Sequence, residues 1–309
     1  YWYCKKRLKI QVRFGHFQWG FFKEVSVYSF WIFLNAIMDR IYWSTGQFVL
    51  GMFKGAAVVA VYAVAIQLQA IYMGFSTAIS GVFLPKVTAM VTKENNEKAI
   101  SDLFIRTGRI QYIIIAFILT GFVVFGKSFI RLWAGSDYED AYGITLCFFI
   151  PMTVPLIQNL GIIILQARNQ MKFRSTLYVV IAFVSLVISI PLSKQYGGIG
   201  CAISIALALT TGQIIVMNIY YHRVIHIDIL DFWKEIGKMS LVPFAIGSLS
   251  FYLFCIYEIH TVQIFIVCIF AFSCIYVPLF WFFGMNAYEK ELFVSPVRRF
   301  VGRLQKNLQ

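Results

Sequence analysis

A helix crosses the hydrocarbon core of a bilayer with ~20 apolar residues, and about eight stretches of this chain meet that requirement. They fall at 25–49, 57–84, 109–132, 143–166, 175–193, 198–221, 239–258 and 261–284. Turn-forming clusters separate them: GMFKG at 51–55, GSDYEDAYG at 135–143, RNQMKFR at 168–174, KQYGGIG at 194–200 and EIHT at 258–261. Lipid offers backbone N–H and C=O groups no hydrogen bonds, so each run must close its own and become a helix. The expected fold is therefore all-α, a polytopic membrane bundle of about eight transmembrane helices. Composition agrees. Hydrophobic residues make up 60% of the chain and charged residues 13%, with a mean hydropathy of +0.74. Soluble domains carry ~25% charged residues, the polar skin that this sequence lacks.

Lys and Arg number 27 against 14 Asp and Glu. An excess of that size also occurs in nucleic-acid-binding domains, but its distribution here follows the rule that gathers Lys and Arg in cytoplasmic connections. Basic residues crowd into 1–24, 85–108, 167–174, 222–238 and the tail after 284, whereas the alternate connections hold only Lys54, Lys127, Arg131 and Lys194. That alternation puts both ends of the chain in the cytoplasm and the acidic loop with Asp137, Glu139 and Asp140 on the other side. No nucleic-acid partner is expected. The chain opens on Tyr1 and runs into KKRLKIQVRF without the pattern of a signal peptide, which suggests a fragment with its N-terminal part elsewhere.

One apolar segment breaks the rule. Val25–Gly55 carries Asp39 and Arg40 side by side near its middle. A charge at mid-bilayer costs at least ~2.5–3.5 kcal/mol on insertion scales, so it persists only beside a cavity, partner or ligand. On a helical wheel Asn35, Asp39, Tyr42 and Gly46 form one stripe, with Arg40, Trp43 and Gln47 beside it. Adjacent residues do not face each other on a helix, so Asp39 and Arg40 are poorly placed to neutralise one another. No other charge in a clearly embedded run stands at comparable depth. Their expected partners are substrate, ion, water or a further lobe, across an open half-cavity.

The fourth run contains PMTVPLIQNLG, in which Pro151 and Pro155 each remove a helix hydrogen bond just before Gln158 and Asn159. Broken helices with polar neighbours occur at transporter binding sites, so Gln158 and Asn159 join the cavity candidates. The second run is rich in Ala, Gly, Ser and Thr, the residues of close helix packing. Its Gln67 and Gln69 cannot share one face. Ala99, Ile100, Leu103 and Phe104 recur at helical spacing and predict a surface helix leading into the third run. In the tail, Phe300, Val301 and Leu304 lie among Arg298, Arg299, Arg303 and Lys306, a basic amphipathic pattern suited to membrane lipids. Cys4, Cys147, Cys201, Cys255, Cys268 and Cys274 lie mostly within apolar runs without a CxxC pattern, and read as small packing residues. His222 and His226 are spaced i,i+4 beside Asp228 and Asp231, but without an HExxH pattern, and no metal site is expected. No catalytic constellation appears, so the chain is not expected to be an enzyme and no cofactor is expected.

Three stretches resemble one family: TGQFVLGMFKGAAVVAVYAVAIQL at 45–68, FLPKVTAMVTKENNEKAISDLFIRTGRIQ at 83–111 and GGIGCAISIALALTTGQIIVMNIY at 197–220. They are similar to the polysaccharide transporters, or O-antigen flippases, of the multidrug/oligosaccharidyl-lipid/polysaccharide (MATE-like) superfamily. The resemblance implies twelve to fourteen spans in two six-helix lobes, of which this chain would hold the second. The implied divisions are a cytoplasmic basic loop at 1–24, a six-helix lobe at 25–221, a loop with two accessory helices at 222–284, and a basic tail at 285–309. It also implies alternating access of a polyprenyl-pyrophosphate-linked oligosaccharide across the bacterial inner membrane, with the absent first lobe as partner. Arg40 would then meet pyrophosphate or acidic sugar, and Asp39 would serve a coupling ion, H+ or Na+. The alternatives are a cation-coupled multidrug exporter of the same fold and a membrane polysaccharide polymerase or ligase. The latter normally carries a large outer loop, and none exists here.

Overall fold

The computed structural model describes residues 18–93, 97–256, 259 and 261–295. Its elements are helical throughout: α1 (Trp19–Phe53), α2 (Ala56–Lys93), α3 (Glu97–Trp133), a 3-10 turn at Ser136–Tyr138, α4 (Ala141–Ile157), α5 (Leu160–Ala167) and α6 (Met171–Leu209). A wider π-type turn at Thr210–Val216 leads into α7 (Met217–Arg223), followed by α8 (Ile229–Ile256) and α9 (Val262–Phe283). A last helical stretch covers 287–295. Most of the basic loop expected at 1–24 and the amphipathic tail residues at 298–306 lie outside the described residues. Within the described part, α1 already begins at Trp19.

Among the described residues, five helices are long and apolar enough to cross a membrane, or six if α4 and α5, bent by 46°, are one span. Two features separate this from the eight expected. Met171–Arg223 counts as a single stretch of 53 residues but breaks at Gly197, whose φ of 60° is comfortable only without a Cβ. The chain folds back there. Ile181 meets Gly212, and Phe173 stacks on Tyr220 at 4.1 Å, so 171–196 and 198–223 run antiparallel as two arms. The second difference is segment 25–55, which forms a helix long enough to span but falls short in mean hydropathy because Asn35, Asp39 and Arg40 interrupt it.

Helix α1 lies in the groove between the two arms. Trp31 accepts a hydrogen bond from Ser175 on one arm at 2.9 Å, and Tyr42 donates to the Ile205 carbonyl on the other at 2.9 Å. Close approach on the α2 side depends on Gly46, which faces the buried ring of Tyr62. Tyr62 and Trp43 both meet Phe148 of α4 edge-on, at 5.7 and 5.5 Å, which joins three helices in one aromatic node. Of the two glutamines of α2, Gln69 points inward and donates to the Met152 sulfur at 3.5 Å, while Gln67 is exposed. Between α2, α3 and α4 the contacts turn polar. Gln111 donates to Ser80 at 2.6 Å, Ser76 to the Leu156 carbonyl at 2.7 Å, and Tyr72 pairs with Thr153 at 2.8 Å. Interhelical hydrogen bonds of this kind contribute ~0.6–2 kcal/mol each in a membrane.

The expected surface helix at 99–106 is helical but packed. Ile100, Leu103 and Phe104 are buried, and Phe104 meets Phe232 of α8 at 5.1 Å and Tyr221 at 5.8 Å. At the same end, buried Arg109 joins three segments. It binds Glu289 through two nitrogens at 2.5 and 3.0 Å and Glu235 of α8 at 2.7 Å. Glu289 completes a reciprocal cap with Asn286, backbone N–H to side chain in both directions at 2.9 Å. At the opposite end of α3, Arg131 binds Glu139 and holds its carboxyl below the usual range. That tie is present at neutral pH and is lost only as pH falls below the carboxylate range.

Gly46→Ala should lower stability by ~1–3 kcal/mol, because its methyl would overpack the Tyr62 ring. Gly74→Ala meets nothing within 4 Å and should leave stability unchanged or slightly higher. Thermal unfolding in detergent compares the two.

Candidate functional site

The candidate cavity has a volume of about 290 Å³ and opens between α1, the α4–α5 break and the first arm of α6. Asn35, Asp39 and Trp43 sit one turn apart on α1 and present their side chains to it. Across the space stand Arg174 and Tyr178 of α6, also one turn apart, with Gln213 entering from the π-type turn of the second arm. Pro155 lines the far wall, and the helix it ends gives way at Gln158 and Asn159 before α5 resumes. The break turns Asn159 toward the cavity, where it donates to Ser76 at 3.3 Å.

Asp39 is half-buried and is held from several sides. Tyr178 donates to its carboxylate at 3.5 Å, Trp43 offers a second hydrogen bond from the next turn, and Arg174 supplies the strongest favourable charge interaction. The Arg174 guanidinium also lies 5.2 Å above the Tyr178 ring, a cation–π contact. This corrects the expectation that no charge stands near enough to pair with Asp39. Arg174 belongs to a connection by sequence count, yet it lies inside α6 with only 6% of its surface exposed. Arg174 acts on Asp39 through space, without ion-pair contact, and offsets part of the cost of burying the carboxylate. Both side chains line the cavity, one from α1 and one from α6.

The residues nominated from sequence separate into two groups. Asn35, Asp39, Trp43 and Asn159 line the cavity; Arg40, Gln47 and Gln158 do not. Arg40 is exposed, one residue round the helix from Asp39. Lipid against a mid-span guanidinium would cost at least ~2.5–3.5 kcal/mol, so that face calls for protein, substrate or water. Gln47 is half-buried. Gln158 is buried and engaged elsewhere: it exchanges hydrogen bonds with Asn218 at 2.8 and 3.2 Å, and Trp233 of α8 donates to the same Asn218 oxygen at 3.0 Å. Arg174, Tyr178 and Gln213 are the residues that sequence reasoning missed. The available signal for Arg174 was its place directly before an uninterrupted apolar run, one turn from where a span could begin.

The described lining offers one carboxylate, one guanidinium, amides, the Thr77 hydroxyl, a phenol and an indole. Two further recesses lie against α3. One, of about 280 Å³ and lined by Phe117, Tyr276 and Phe280, is apolar; the other, between α3 and α8, contains Thr120 and Ser240.

Residues 1–143 match the family described as polysaccharide biosynthesis protein. The similarity covers somewhat less than half of the chain. The match covers α1, α2, α3 and the start of α4, and contains the stretches 45–68 and 83–111 on which the resemblance to a polysaccharide transporter rests; 197–220 lies outside it. No curated protein and no solved structure matches the chain. Several helices are long and apolar enough to cross a membrane, as expected of a multi-pass membrane protein, and the first 143 residues are similar to a polysaccharide biosynthesis family.

Proposed function

We propose that this protein is a flippase. It moves lipid-linked oligosaccharide units, carried on polyprenyl pyrophosphate, across the bacterial inner membrane for surface polysaccharide assembly, and makes or breaks no bond. One observation carries the reading: a cavity bounded by Asp39 and Arg174 inside an apolar bundle, in a chain whose first part matches a polysaccharide biosynthesis family. A carboxylate and a guanidinium on one cavity beside a broken helix suit a carrier that exposes one polar site to alternate sides, because discontinuous helices supply polar groups at mid-membrane. Asp39 serves the coupling ion, H+ or Na+, since it is the one carboxylate in the described lining.

A multidrug exporter of the same architecture would bind cationic drugs at an accessible carboxylate. Asp39 is instead engaged by Trp43, Tyr178 and Arg174, which favours the sugar-lipid reading. A polymerase or ligase would need a reactive set, and the lining offers none among its described residues. In the proposed orientation, the connections rich in Lys and Arg are cytoplasmic and the Asp137–Asp140 loop faces the periplasm.

Depleting the protein should remove surface polysaccharide while lipid-linked repeat units accumulate inside the cell. Normal polysaccharide together with new sensitivity to cationic drugs would overturn the flippase reading in favour of the exporter. Orientation is tested separately: a reporter active only in the periplasm should work when fused at Asp137 and fail at Asn169, and the reverse pattern would invert the topology.

A further inference from the structure

The cavity contains more hydrogen-bond donors than the protein satisfies. Arg174 and Gln213 expose only 6% and 5% of their surface, and both line the cavity. The Nε and Nη1 of Arg174, the Nε2 of Gln213 and the Nδ2 of Asn35 are buried, and none has an acceptor among the described residues. All four nitrogens are donors, on three side chains from α1 and both arms of the hairpin. Leaving a buried donor unmade costs ~1–3 kcal/mol, and more where the group is charged. A neutral hydroxyl, with two lone pairs, could accept from at most two of these four donors, whereas a carboxylate or phosphate presents about four or more and carries the charge that complements a guanidinium.

We infer that Arg174, Gln213 and Asn35 form a binding site for an anionic oxygen group, a phosphate or a carboxylate, of the transported molecule. The Arg174 guanidinium is planar and always charged, and charge-assisted N–H···O bonds from it to either group are about twice as strong as neutral ones. Gln213 and Asn35 approach from other elements and receive the remaining lone pairs, so the anion draws α1 and both hairpin arms together. Asp39 lies on the same cavity, engaged by Tyr178 and Trp43, and Nε and Nη1 of Arg174 have no acceptor in it. The site sits at Arg174 and not at Arg40, because Arg40 is exposed and outside the cavity. That the anion belongs to a lipid-linked sugar rests on the proposed function; that the site takes an anion does not.

The test uses the purified protein in detergent, with inorganic pyrophosphate, glucuronate and uncharged glucose as probes. Thermal unfolding and the fluorescence of the native protein, which has Trp43 in the cavity, report binding. Pyrophosphate or glucuronate should raise the unfolding temperature saturably, while glucose should not. A response to pyrophosphate alone assigns the site to the lipid-phosphate linkage, a response to glucuronate alone assigns it to an acidic sugar, and either supports an anion site. Arg174→Gln should weaken anion binding at least tenfold and Arg174→Lys should restore part of it. Should Arg174→Gln fail to fold, Gln213→Leu keeps the charge and should weaken binding about three- to tenfold. No anion response in the folded wild-type protein, or an unchanged response in these variants, would overturn the inference. An anion response in a protein whose depletion leaves polysaccharide normal would uphold the site and reject the flippase.

Discussion

Asp39 sets the terms for the helices around it. A carboxylate in the middle of a membrane helix needs hydrogen bonds and an opposing charge, and each of its partners comes from a definite place. Trp43 is one turn further along the same helix, whereas Tyr178 and Arg174 require α6 to lie alongside α1. The hairpin at Gly197 makes that possible, since it lets one arm bring Arg174 and Tyr178 while the other brings Gln213 and accepts Tyr42. Gly46 then allows α2 to close against the opposite side of α1 through Tyr62. The cavity remains where these contacts cannot meet, beside the α4–α5 break.

The rest of the bundle braces that arrangement without entering it. Ser76 hydrogen-bonds the Leu156 carbonyl just before the break and accepts from Asn159 just after it, so α2 holds both sides of the bend. The Gln158 side chain is secured by Asn218 and through it by Trp233 of α8. Helix α8 and the stretch that follows α9 attach to α3 through Arg109, Glu235 and Glu289. Burying one such ion partner without the others would cost ~3–5 kcal/mol. This makes α3 the column shared by the cavity-forming helices and the two that follow.

Much of this was readable from single residues. The spans announced themselves by length, the hairpin by KQYGGIG, the helix break by Pro151 and Pro155, and the cavity-facing stripe by the spacing of Asn35, Asp39 and Trp43. Three things were not, for reasons of geometry. Arg174 was hidden because the end of a connection and the first turn of a helix have the same composition, and only the helix start decides which side a cation belongs to. Arg40 is adjacent to Asp39 in sequence but turned by about 100°, so chemistry alone nominates it and packing excludes it from the cavity. The engagement of Gln158 depends on Asn218, 60 residues away, a pairing that no local pattern encodes.

The central claim is that Asp39 and Arg174 stabilise one another across the cavity. A double-mutant cycle measures it directly: the unfolding free energy in detergent of the wild type, Asp39→Asn, Arg174→Gln and the double variant. Each single change leaves the other charge unopposed, so the double variant should be less destabilised than the sum of the singles, with a coupling of about 1–2 kcal/mol. Additive effects, within about 0.3–0.5 kcal/mol, would show two independent charges and contradict the account.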